Sequence, residues 1–194
     1  MPGRIAAVLA LGVALASPAA AQYFPALAFS DRPELHEFTA GWYERHLSAM
    51  DEPPLLKSTG RKDVEVYRFL WLRTFHPPLA FRLEVRGDGT GTLTAKSASG
   101  AGGYDPGRLD SNRTLALDSK RVRQFTATLG RLDFWKLATR DPGPPGFDGA
   151  RWVLEAVKGG RYHVVDRWSP TGGAFRDAML DLVALAGMKV DPIY

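Results

Sequence analysis

The segment from Val64 to Phe75 constrains the fold more than any other part of the chain. It holds Val66, Tyr67, Phe69, Leu70, Trp71 and Leu72, so large apolar side chains occupy neighbouring positions as well as alternate ones. In an extended strand, neighbours point to opposite faces. A strand that is apolar on both faces sits at the centre of a sheet or is covered on both sides. The chain is long enough to supply the surrounding layers in one domain: 194 residues, 45% hydrophobic and 24% charged, is ordinary globular composition.

The flanking sequence supplies partners for that strand. His76, Pro77 and Pro78 end it, and Leu79, Phe81, Leu83 and Val85 then alternate with Ala80, Arg82, Glu84 and Arg86 in the period of a half-buried strand. Gly87, Asp88 and Gly89 suit a hairpin turn into a return strand from Gly91 to Ala98. The glycine-rich stretch from Ser99 to Gly107 reads as a mobile loop, with a short strand over 113–117 after it. A second hairpin runs from Arg151 to Trp168. A three-residue turn over Lys158, Gly159 and Gly160 would pair Val157 with Arg161. It would place Trp152, Leu154, Ala156, Tyr162, Val164 and Trp168 on one face, and Arg151, Glu155, Arg161, His163 and Arg167 on the other. The sheet edge left by this hairpin is a place where another chain could pair.

Helical spacing appears three times. Leu35, Phe38, Trp42, Tyr43, Leu47 and Met50 recur every three or four residues between Asp31 and Met50, and Asp31 with Glu34 resembles a capping box. Asp118 or Ser119 caps a helix reaching about Leu132, and a third runs from Thr171 to Gly187. The expectation is an α+β domain over 22–194: an antiparallel sheet built from two hairpins or meanders, with about three helices packed mainly on one face.

The first 21 residues read as a secretory signal: Arg4, an apolar run from Ile5 to Ala16, and small residues Ala19 to Ala21 before Gln22. The run is too short to span a bilayer comfortably, so export without stable membrane insertion is expected. The chain has no cysteine. In an exported protein that excludes disulfide frameworks, thiolate metal sites and cysteine nucleophiles, and leaves core burial as the source of stability. A formal net charge of +4, with acids interspersed among the basic residues, lacks the concentrated stripe that nucleic acid requires. The oligomeric state stays open.

Chemistry-bearing residues are sparse. The four histidines, His36, His46, His76 and His163, form no metal-ligand spacing, and no cofactor or metal is expected. His46 lies on the apolar stripe of the first helix and reads as a hydrogen-bonded core residue. The glycines at 100, 102 and 103 lack the Lys and Ser or Thr of a phosphate-binding loop. In the three-residue register, Glu155 and His163 fall opposite one another. An acid beside an imidazole raises its pKa and orients it, so His163 with Glu155 or Asp148 is a candidate acid and base pair. Arg151, Arg167 and His76 are candidate binding residues, because arginine forks suit carboxylate or phosphate. Asp166 falls among apolar positions, where an acid needs a partner. The five tryptophans sit mostly at core-phase positions and read as an aromatic core in preference to a sugar platform.

The runs YRFLWLRTFHPP (67–78), FDGARWVLE (147–155) and YHVVDRWSP (162–170) resemble those of a group of exported bacterial proteins with no assigned activity. That resemblance covers most of 22–194 and implies export, but no mechanism and no site residues. Two functional readings follow. The first is an exported domain that binds a protein or envelope ligand without catalysis. The alternative is a metal-independent envelope hydrolase using His163 with Glu155 or Asp148.

Overall fold

A computed structural model describes residues 22–141 and 146–194. Residues 1–21, where a secretory signal is expected, and 142–145 lie outside the described residues. The fold is α+β. Its strands are β1 (Glu65–Arg73), β2 (Leu79–Val85), β3 (Gly91–Ala98), β4 (Leu109–Leu117), β5 (Ala150–Lys158) and β6 (Arg161–Trp168). Its helices are α1 (Pro33–Ala49), α2 (Ser119–Arg131) and α3 (Ala174–Leu185). All six strands join one antiparallel sheet in the order β4-β3-β2-β1-β5-β6.

β1 is central, between β2 and β5, and eight of its nine residues are buried. Its odd-numbered side chains, Tyr67, Phe69 and Trp71, join Phe81, Trp152 and Leu154 beneath α2 and α3. Its even-numbered Leu70 and Leu72 join Ala80, Val153 and Val164 beneath Tyr43, Leu47 and Met50 of α1, with Phe24 and Phe29. Two helices therefore share one face, as expected, and α1 forms a third layer on the other. The physical reason is the double-sided hydrophobicity of β1, whose second face would otherwise meet water.

Several local readings change. α1 starts at Pro33, and its N-cap is Arg32, with no side-chain cap bond; the Asp31–Glu34 capping box does not form. Proline at the first helical position sets φ without sacrificing a bonded N–H. β4 spans nine residues, because pairing with β3 extends it back to Leu109. The second hairpin turns on Gly159 and Gly160 alone, with φ of 58° and 79°, and pairs Lys158 with Arg161. Two consecutive positive-φ residues make the turn whose twist matches the strands, and the chain takes it even though it mixes polar and apolar residues on each face. The β6 edge is covered as well: the Asp166 N–H donates to the Thr139 carbonyl at 2.7 Å, and Arg167 reaches the carbonyls of Ala138 and Thr139. At the other edge, β4, no backbone hydrogen bond from outside the sheet is present among the described residues.

Candidate functional site

The two-residue turn separates the sequence-predicted acid and base. His163 pairs across the ladder with Ala156, and Glu155 with Val164, so the two side chains lie on opposite faces of the sheet. The His163 ring packs against Phe134 at 5.0 Å and Trp135 at 6.2 Å, and its Nε2 is 3.0 Å from the Leu137 carbonyl. Burial lowers its pKa below the ordinary imidazole value, with Arg161 and Arg167 adding to the shift. Asp148 is exposed, at φ 55° in the loop before β5.

Glu155 belongs to a charge network sealed between the sheet and the end of α1. Arg68 donates from Nε and Nη2 to one Glu155 oxygen at 2.9 and 2.6 Å, and the Tyr162 hydroxyl donates to the other at 2.8 Å. Glu52, just past α1, accepts from Arg82 and Lys96 at 2.9 Å each. Burial opposes the charge on Arg68, but the Glu155 and Glu52 carboxylates outweigh it and hold the guanidinium pKa above its ordinary value. These groups neutralise one another in the interior, as buried charges must.

Asp166 is the third buried acid on that face, with Glu155 and Glu52. Its Oδ2 accepts from the Tyr43 hydroxyl at 2.8 Å and faces Arg151 Nη1 at 3.5 Å, so its partners are a helix residue and the neighbouring strand. Burial raises its pKa, and Arg151 and Tyr43 only partly offset that. Arg151 also lies over the Trp168 ring at 5.0 Å. Arg167 spends its guanidinium on main-chain carbonyls and on the face of Phe175. Both arginines are thus engaged within the fold. His46 is fully buried, with Nδ1 2.9 Å from the Trp42 carbonyl, as its place on the stripe implied.

Phe147, in the loop before β5, is 94% exposed, and three further exposed aromatics lie around one end of the sheet. The loops after β1 and β3 meet there: the Gly102 N–H donates to the Arg73 and His76 carbonyls at 3.1 and 2.9 Å, and Gly103 N–H to the Thr74 carbonyl at 3.0 Å. A Cβ at Gly102 would sit 2.7 Å from the Arg73 backbone, so glycine serves close strand contact there. This is the stretch expected to be mobile, and its backbone is instead bonded to its neighbours. From α1, Trp42 Nε1 donates to the Gly102 carbonyl at 3.0 Å. On this frame stand Phe38 (71% exposed), Tyr104 (61%) and Phe75 (57%), with the Phe75 and Tyr104 rings 6.2 Å apart. A cleft of about 720 Å³ between α1 and the loop is lined by Phe38, Trp42, Arg45, Asp105 and Pro106. His76, the third candidate binding residue, lies in the same loop as Phe75, its Nδ1 2.7 Å from the Tyr194 hydroxyl.

The strand expected over Val64–Phe75 includes Phe75, but β1 ends at Arg73 and leaves Phe75 in the loop, while Tyr104 is an isolated aromatic in a glycine-rich loop, without period. Phe38 was counted into the apolar stripe of α1, whereas Tyr43 and Leu47 face the sheet and Phe38 faces out. Among the described residues, no group of three or more His, Cys, Asp or Glu could hold a metal ion, and no helix is long and apolar enough to cross a membrane. No protein-family model matches the chain, and no curated protein matches it either.

Proposed function

We propose that this chain is an exported, non-catalytic binding domain that docks a protein segment through the aromatic rim of Phe38, Tyr104 and Phe75. The observation that carries the reading is the contrast in exposure. The candidate acid and base, Glu155 and His163, are engaged within the fold, while Phe38, Tyr104 and Phe75 stand exposed around a hydrogen-bonded frame. Exposed apolar clusters on rigid supports mark interaction sites, and aromatic residues dominate their energetics. Export rests on the leader-like composition of 1–21, and cleavage before Gln22 is the expected processing event.

The test is an array of apolar-anchored peptides together with a glycan array, probed with the wild type and with Phe38→Ser/Tyr104→Ser. Saturable peptide binding that falls at least about tenfold in the variant, a loss of about 1.4 kcal/mol, supports the reading. Binding that the variant leaves intact, or glycans as the sole ligands, overturns it. Turnover of peptidoglycan, ester or phosphoester substrates that disappears in His163→Ala would instead establish the hydrolase.

A further inference from the structure

Arg73 is a buried cation without a counter-ion. It ends β1, is 5% exposed, and no carboxylate among the described residues lies within ion-pair distance of it. Its Nη1 and Nη2 make only long contacts, 3.4 Å each, to the Pro192 and Pro77 carbonyls, and its buried Nε has no partner. Every other fully buried arginine or lysine here is matched by acid. Buried charges are paired as a rule, so an unmatched guanidinium marks a place where an anion is accepted.

Two more donors point the same way. Trp71 and Trp152 are fully buried with ring centroids 4.6 Å apart, and their indole N–H groups converge on a single atom, the main-chain oxygen of Tyr194, at 3.3 and 2.9 Å. Arg73 lies over the Trp71 ring at 5.3 Å. Two preorganised N–H groups with a cation beside them, in a water-poor setting, are suited to a carboxylate. Next to them, His76 Nδ1 is 2.7 Å from the Tyr194 hydroxyl, which provides a polar stop for an aromatic side chain. The segment after α3 reaches this cradle without a ladder: the Met188 N–H bonds the Val183 carbonyl, and from Lys189 to Tyr194 no backbone–backbone hydrogen bond holds it.

We propose that Arg73, Trp71 and Trp152 form a binding site for a carboxylate adjacent to an aromatic side chain, and that residues 189–194 occupy it in cis as a displaceable occupant. The ligand enters as the Tyr194 segment leaves, and its carboxylate pairs with Arg73. Occupation in cis lowers apparent affinity by the fraction of molecules in which the site is free. The site adjoins the aromatic rim at Phe75, whose N–H is 3.5 Å from the Tyr194 hydroxyl, but does not include Phe38 or Tyr104, so Phe38→Ser/Tyr104→Ser is expected to leave it intact.

The experiment titrates three probes into the wild type, Tyr194→Ala, Tyr194→Phe and Tyr194→Ala/Arg73→Gln, following tryptophan fluorescence. The probes are acetyl-Asp-Pro-Ile-Tyr with a free carboxylate, the same peptide as its amide, and N-acetyltyrosine. Tyr194→Ala is expected to bind the free-acid peptide about tenfold more tightly than the wild type does, and about tenfold more tightly than it binds the amide. Adding Arg73→Gln should erase the difference between acid and amide. N-acetyltyrosine binding as well as the peptide assigns the site to small aromatic acids; binding of the peptide alone assigns it to chain ends. Equal binding of acid and amide, or no binding by Tyr194→Ala that retains the wild-type near-UV spectrum, overturns the proposal. If Tyr194→Ala does not fold, Tyr194→Phe, which loses the hydroxyl's contacts to His76 Nδ1 and to the Phe75 N–H, decides: affinity above the wild type supports the proposal and equal affinity overturns it.

Discussion

The two faces of the sheet are stabilised by different physics. Beneath α2 and α3 the centre of the core is an aromatic cluster: Phe69 is 6.0 Å from Phe81 and 5.3 Å from Trp152, and Tyr67 meets Phe125 edge-on at 5.7 Å. Beneath α1, apolar packing shares the interior with Arg68, Glu52, Glu155, Lys96 and Asp166. Burying aromatic area is non-directional and tolerates exchange of similar shapes. A buried charge network tolerates little, because removing one member strands another. The α1 face therefore carries most of the sensitivity to single substitutions, and with Asp166 and His46 it holds two groups whose pKa values burial shifts.

The largest expected effect that would break this contrast is at Arg68. Arg68→Met leaves Glu155 buried without its cation and should destabilise by about 3–5 kcal/mol in urea unfolding. Combining it with Glu155→Leu should recover most of that loss, since a buried pair replaced by apolar groups is often neutral. On the other face, Phe81→Leu keeps the core apolar and should cost less than about 1.5 kcal/mol. Equal losses at the two positions would mean that the faces do not differ in kind.

Smaller still are the pH effects, and both of the following groups lie on the α1 side. Burial raises the Asp166 pKa from its ordinary 3.8, so the folded state holds the proton more tightly than the unfolded chain does. Stability from this group is present below the unfolded pKa and is lost as pH rises through the raised folded value. Asp166→Asn should flatten that decline in stability measured from pH 3.8 upward. His46 is shifted the other way: burial lowers its pKa from 6.5, so its contribution is present above 6.5 and is lost as pH falls toward the folded value. His46→Gln should remove that acid-side loss.

The smallest contrast concerns the helix starts. Asp118 caps α2 by accepting the Arg121 N–H at 2.9 Å, so Asp118→Ala should cost about 1 kcal/mol in thermal or urea unfolding. Arg32, at the same position of α1, makes no cap bond, and Arg32→Ala should change stability by no more than about 0.5 kcal/mol.

Much of this architecture was legible before any coordinates. Alternation placed β2, and the turn chemistry after it placed β3, because apolar side chains at every second position mark the face toward α2 and α3; the opposite face is polar in sequence yet largely covered, with Thr94 and Lys96 buried. The double-sided β1 announced a central strand with cover on both sides, and α1 supplies the second cover. The register of β5 and β6 was not legible. Arguments from the cleanest polar and apolar faces assumed that charged residues face water, and Glu155 instead faces Arg68 across the neighbouring strand. One slipped residue moved His163 to the opposite face and removed the predicted acid–base pair.

By itself the sequence determined the class of fold, the central strand, the absence of disulfides and a core rich in aromatic residues. These follow from local periodicity and composition, which any chain expresses one residue at a time. Only the tertiary structure decided which charges are buried partners, which aromatics stand exposed, and that the Tyr194 main-chain oxygen sits between two indole N–H groups beside an unmatched arginine. Such placements join residues as distant along the chain as Tyr43 and Asp166, or Trp71 and Tyr194, and no local pattern encodes a contact of that separation.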